Sequence, residues 1–234
     1  SNGDTISKWY DRSGKGYHAI PDGSNPVWNA TLINSKPGVN LNNTMMKIQN
    51  SEVDFDAWSE LHVFTVLKVH GNHTWIRIFG KTTSMHSSSN TAWHFGHVRG
   101  DYDPPKYSTR VRNNSNTDYD RHFENSRTAS LHDNPGLFTM SWGGGSFTNR
   151  IDGTQNNTVS STGTIASLPS EPIKLGRNHA LYISEFLIFK DKLSTADEQK
   201  IEGYLAHKWD LDGDLPTGHS HKTSAPSFGG WSVG

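Results

Sequence analysis

The stretch ALYISEFLIFK (Ala180–Lys190) is apolar at both alternating sets of positions. A strand with apolar side chains on both faces of its sheet needs a cover on each. The chain must therefore supply two further layers around this one segment. One of them reads as a helix and follows at once. In LSTADEQKIEGYLAHKWDLDGDLP (Leu193–Pro216), Ile201, Tyr204, Leu205 and Trp209 fall on one stripe at helical spacing. Ser194, with Asp197 three residues on, is a weak capping box. His207 and Lys208 suit the negative end of the helix dipole. Gly213 and Pro216 mark the stop. The sequence predicts a helix with one face laid on a sheet.

Everything else reads as strands and loops. In LHVFTVLKVHG (Leu61–Gly71), Leu61, Val63, Thr65, Leu67 and Val69 share one face, and His62, Phe64, Val66 and Lys68 share the other. GLFTMSW (Gly136–Trp142), three glycines and SFTNRID (Ser146–Asp152) predict a hairpin. Shorter strands are expected at Val39–Leu41, Met45–Ile48, Thr74–Gly80, Thr91–Val98, Lys106–Arg112 and Pro172–Arg177. From Arg99 to Asn134 the chain turns polar, with two DYD triplets, and reads as loops around Lys106–Arg112. No repeat or linker interrupts the pattern, so residues 1–234 are expected to form a single domain, an all-β antiparallel sandwich. Only 32% of residues are hydrophobic, so the core must lean on the 11% that are aromatic, 8 of them Trp.

The formal net charge is −1 and the pI about 6.9, which gives no pull toward nucleic acid or an anionic membrane. No apolar run approaches the length of a membrane span. Cysteine is absent, which excludes disulfides and thiol chemistry. A cysteine-free chain rich in Asn, Gly and Thr has the composition common among exported bacterial surface proteins.

The C-terminal run ISEFLIFKDKLSTADEQKIEGYLAHKW, followed by LP and HSHK, resembles the signature of the laminin-G-like, concanavalin A-like jelly-roll domains of bacterial secreted and surface proteins. The matching positions are Tyr204, Leu205, Ala206, Lys208, Trp209, Leu215, Pro216 and His219. The turn WYDRSGKGYHA is similar to that family's at Trp9, Asp11, Ser13 and Gly14, and Ile173–Arg177 to its penultimate strand. About residues 80–165 carry no motif of the family. Its usual first strand, before Gly3–Asp4, is absent here, and Phe228–Gly234 (FGGWSVG) could fill the vacant edge. The resemblance implies a jelly roll capped by the terminal helix, with His219 as a structural hydrogen-bonding residue. It also implies a binding module for a carbohydrate or peptide, frequently with Ca²⁺, and a secreted or cell-surface location, adhesin-like, as a monomeric unit of a multidomain chain.

Candidate Ca²⁺ ligands are the clustered aspartates, because this ion takes six to eight oxygens. Asp101 and Asp103, and Asp118 and Asp120, lie in the two DYD segments, and Asp210, Asp212 and Asp214 follow the helix. Candidate ligand contacts are Tyr102, Tyr107 and Tyr119, which could stack on a sugar or clamp a peptide, and Arg99, Arg110, Arg112 and Arg121, which could hold a carboxylate. Trp93 and Trp142 are weighed as core. The pairs His94/His97, His70/His73 and His219/His221 are weaker metal candidates, because residues three apart on a strand face opposite ways. The chain has no His-Glu-x-x-His, Gly-x-Ser-x-Gly or phosphate loop. Glu185 is the one acid inside an apolar strand and has no second acid beside it. The reading is thus a non-catalytic, Ca²⁺-assisted glycan- or peptide-binding module. A polysaccharide-degrading enzyme, glycosidase or lyase, on the same scaffold is the alternative.

Overall fold

The computed structural model describes residues 2–49, 56–69, 78–83, 91–96, 107–122, 134–176 and 181–228. Two seven-stranded antiparallel sheets pack face to face. The first runs β1 (Ile20–Pro21), β4 (Met46–Ile48), β13 (Ile173–Leu175), β6 (Phe79–Thr82), β7 (Thr91–Phe95), β8 (Ser108–Arg112), β9 (Asp118–His122). The second runs β12 (Thr154–Ser160), β11 (Ser146–Ile151), β10 (Gly136–Gly143), β5 (Leu61–Val69), β14 (Leu181–Phe189), β3 (Lys36–Asn40), β2 (Val27–Ile33). Helix α1 (Thr195–Lys208) follows β14.

The alternation in β5 sorts its residues as the sequence predicts. Leu61, Val63, Leu67 and Val69 enter the core between the sheets, with Phe79, Trp93, Phe95, Phe138, Met140, Trp142 and Phe147. Phe64 and Val66 enter a second apolar layer on the other side, with Ile33, Leu137, Leu205, Ala206, Trp209, Leu211 and Leu215. Helix α1 is the cover that layer requires. The β10–β11 hairpin closes through Gly144 and Gly145, both at positive φ, where a side chain is disfavoured.

The helix begins as expected. Ser194 Oγ accepts from Asp197 N at 3.2 Å and donates to Asp197 Oδ2 at 2.7 Å. Its buried face differs from the expected stripe. It consists of Glu198, Glu202, Gly203, Leu205 and Ala206, continued by Trp209, while Ile201 and Tyr204 are only half-buried. The stop also comes earlier. Asp210, at φ 54°, takes the left-handed position expected near Gly213. The last carbonyls are held from outside, by Lys36 Nζ on Lys208 O (2.6 Å) and Asn34 Nδ2 on Trp209 O (2.7 Å).

Four strands went unread in the sequence, the two-residue β1 among them. β2 and β12 are edge-region strands, and β9 lies where a loop is expected. In β9 cross-strand charge replaces apolar alternation, with Asp118 opposite Arg112 and Asp120 opposite Arg110. The β2 edge is lined by the N-terminal segment: Gly3 N donates to Trp28 O (2.9 Å), and Trp28 N to Asp4 O (2.8 Å). Phe228 packs edge-on against Tyr204 of α1, ring centroids 5.7 Å apart, instead of joining that edge; residues 229–234 lie outside the described residues.

Candidate functional site

The outer face of the second sheet is divided. Over β5, β14 and the start of β10 it is apolar and lies beneath the C-terminal half of α1. Toward β11 and β12 it becomes hydroxylated, because the residues alternating with Met140, Trp142, Phe147 and Ile151 are Ser141, Ser146, Thr148 and Arg150. Backbone register sets Thr148 opposite both Ser141 and Thr158, and Arg150 opposite Gln155. These side chains floor a cleft of about 290 Å³. Its wall is the turn into α1, with Lys192, Leu193, Thr195 and Glu198. The volume lies at the lower end of the range for small-ligand sites.

A buried charge network braces this wall. Arg150, on β11, donates through Nε to Glu202 Oε1 (3.0 Å) and through Nη2 to Gly153 O (2.6 Å), and its Nη1 lies 3.4 Å from Glu198 Oε1. Thr139 Oγ1 donates to Glu202 Oε1 (3.2 Å), and His219 Nε2 lies 3.3 Å from Glu202 Oε2. Glu202 and His219 have no exposed side-chain surface. His62, on β5, accepts from Leu193 N through Nδ1 (3.2 Å), which leaves the proton of the neutral ring on Nε2. That Nε2 is 3.1 Å from Glu198 Oε2, an electrostatic contact and not a well-aligned hydrogen bond. Burial pushes the Glu198 carboxyl pKa up. The His62 contact and the charges of Arg150 and Lys192 together outweigh burial and hold it below the ordinary value.

At the mouth, Lys192 Nζ donates to Gly143 O (3.0 Å) and Ser146 Oγ (2.6 Å). Its backbone N–H is taken by Glu60 Oε2 at 2.9 Å. The Thr148 and Thr158 hydroxyls bond each other at 2.9 Å.

The described residues among those singled out in the sequence lie elsewhere. Tyr107 is fully buried with its ring 5.3 Å from that of Phe138, so it is a core residue and not a ligand contact. Burial raises its hydroxyl pKa. Tyr119 is half-buried on Trp142, ring centroids 5.1 Å apart, and its hydroxyl lies 3.3 Å from Thr162 Oγ1. Arg110 and Arg112 converge on Asp118: Arg112 bonds both carboxylate oxygens (2.6 and 3.1 Å), and Arg110 lies at 3.7 Å. The bonds from Arg112 outweigh burial, and with the charge of Arg110 they lower the Asp118 pKa. Two guanidiniums at one carboxylate do not fit a Ca²⁺ site there. Asp120 and Arg121 lie on β9, opposite Arg110 and Thr109. Arg99, Asp101, Tyr102, Asp103, His70, His73 and His97 lie outside the described residues.

The aspartates after α1 do not fit the ion either. Lys222 Nζ donates to the carbonyls of Asp212 (3.3 Å), Gly213 (2.9 Å) and Leu215 (2.5 Å), so an ammonium occupies the oxygen-lined position a cation would take. Asp210 pairs with Lys36 at 2.8 Å. Among the described residues, no group of three or more His, Asp or Glu is placed to hold a metal ion. Glu185 is committed to the helix: Oε2 accepts from Trp209 Nε1 (2.8 Å) and Oε1 from Lys208 Nζ (3.0 Å). His219 is the hydrogen-bonding residue that the family resemblance implies.

No family model and no curated protein matches the chain. Solved structures do. The binding domain of Paraclostridial Mosquitocidal Protein 1 matches with a TM-score of 0.65 and 14% identity over 86% of this chain and 50% of that one. The receptor binding domain of botulinum neurotoxin C/D mosaic serotype follows at 0.61 and 15%, over 82% and 48%. The botulinum neurotoxin serotype D binding domain gives 0.60 and 15%, over 85% and 50%. The chain spans about half the length of these structures. At such identity the likeness is one of fold. It supports a two-sheet sandwich with a terminal helix, and does not single out the laminin-G-like family.

Proposed function

We propose that the chain is a non-catalytic binding module that takes a polar, hydroxyl-rich ligand, a glycan ahead of a peptide, in the cleft between β10–β12 and the turn into α1. The observation that carries this reading is the floor of that cleft. Ser141, Thr148 and Thr158 lie abreast on three neighbouring strands, with Arg150 and Gln155 at the next level, all supported by a closely packed sandwich. Side chains fixed on strands hold their positions without an ordering cost at binding, which suits recognition of a ligand studded with hydroxyls.

The cleft is poorly suited to hydrolysis. A glycosidase needs two carboxyl groups across the scissile bond, one of them with a raised pKa. Glu198 is the one carboxylate lining this cleft, and its pKa is held down. The module would belong to a larger extracellular protein. Its solved neighbours carry the names of toxin binding domains, and it spans half their length. Calcium is no part of the proposal, since the described acidic clusters already hold arginine or lysine.

A glycan array tests the reading with the wild type and with Thr148→Val. The wild type should be retained on a defined glycan subset. The variant, with stability changed by no more than about 0.5 kcal/mol as expected for a surface position, should lose most of that retention. Retention unaffected by the substitution contradicts this site, and turnover of any arrayed polysaccharide contradicts the non-catalytic reading.

A further inference from the structure

The charges around the cleft are not evenly paired, and the difference indicates the class of ligand. Both oxygens of Glu198 are engaged, Oε1 by Arg150 and Oε2 by His62. Glu202 is sealed behind Arg150 with no exposed surface. The carboxylates in the wall are therefore committed as charges.

The donors are not. Lys192 Nζ has three N–H groups; two reach Gly143 O and Ser146 Oγ, and among the described residues no carboxylate lies within ion-pairing distance of it. Ser146 uses a lone pair to receive Lys192, which leaves its own O–H to donate. In the Thr148–Thr158 pair one hydroxyl donates to the other, so one O–H remains. Gln155 adds an amide at the floor, with both its NH₂ and its carbonyl oxygen. A neutral polyol can hydrogen-bond to the floor hydroxyls and the Gln155 amide but brings no charge to the Lys192 ammonium. A carboxylate or sulfate ester brings acceptors alone, and its bonds to an ammonium are charge-assisted.

Resting on the binding reading above, we infer that the cleft selects a saccharide bearing an anionic group, which Lys192 and Ser146 receive at the cleft mouth.

Isothermal titration with three probes tests this: a uronic-acid oligosaccharide, the same oligosaccharide with its carboxylates reduced to alcohols, and a sulfated oligosaccharide. The wild type should bind at least one anionic probe about ten-fold or more tighter than the reduced probe. The preference should shrink as salt rises. Lys192→Met should abolish it, and Lys192→Arg should keep most of it. If Lys192→Met fails to fold, the salt dependence and the arginine variant still decide the matter. Preference for the carboxylated or the sulfated probe tells which anion is the source. Equal affinity for the reduced and anionic probes overturns this inference and leaves the binding reading standing. Binding of none of the three overturns both.

Discussion

The two halves of helix α1 meet the same sheet by opposite means. The C-terminal half docks through Leu205, Ala206 and Trp209 on Phe64, Val66, Leu137 and Ile33, a contact that exchanges water for close apolar packing. The N-terminal half docks through Glu198 and Glu202 on Arg150, His62 and Thr139, with His219 closing the network from the C-terminal segment. Apolar packing tolerates small shifts. A buried charge network fixes geometry and becomes costly when a partner is lost. The difference teaches why the cleft sits where it does. A polar floor can stay open only beside the half of the helix that does not seal it with hydrocarbon. The packing is close on the far side of the helix too, where a Cβ on Gly203 would collide with His221.

The largest effect should come from breaking the charged half. Glu202→Ala takes from Arg150 Nε and from His219 the carboxylate they share and should cost about 3–5 kcal/mol, against about 2–5 kcal/mol for Leu205→Ala in the apolar half, both read by chemical denaturation. The sharper distinction lies in ligand retention at a denaturant-free temperature well below either midpoint. Glu202→Ala should lose it, because the cleft wall loosens, and Leu205→Ala should keep it. The same retention in both variants would break the comparison.

A smaller effect should appear on acidification. The Glu198 carboxyl has a folded-state pKa below its unfolded value, so its contribution is complete above the ordinary carboxylate range and is lost as pH falls through the folded pKa. Stability should therefore decline on the acid limb below about pH 4.5, the ordinary glutamate value. Glu198→Gln should flatten part of that decline in thermal melts taken across pH 2–6. An unchanged acid limb would show that Glu198 gains nothing from its neighbours.

Much of the sandwich was legible because its central strands carry apolar side chains on both faces. Leu61–Val69 and Ala180–Lys190 announce two covered faces, and the capping box at Ser194 announces the helix. The polar strands β9 and β12 were not legible, because cross-strand Arg–Asp and Thr–Thr pairs hold them where periodicity is silent. The candidate site was less legible still. Glu198 and Glu202 are not among the residues the sequence singles out, and the positions of Arg150 and His62 on neighbouring strands give them their partners. One signal was present in the sequence: glutamates four apart lie on one face of a helix, flanking the same turn as the apolar stripe. In the second DYD segment, Asp118 misled for a related reason. Asp118 looks like an ion ligand until Arg112, six residues back, is folded across from it.

The most direct test is a ¹H–¹⁵N chemical-shift titration with the best glycan from the array. The account predicts that shifts concentrate at the amides of Ser146, Thr148, Gln155, Lys192 and Thr195, while those of Phe64, Val66 and Leu205 stay still. Shifts confined to β8 and β9, or to the exposed turn around Tyr10, would contradict it.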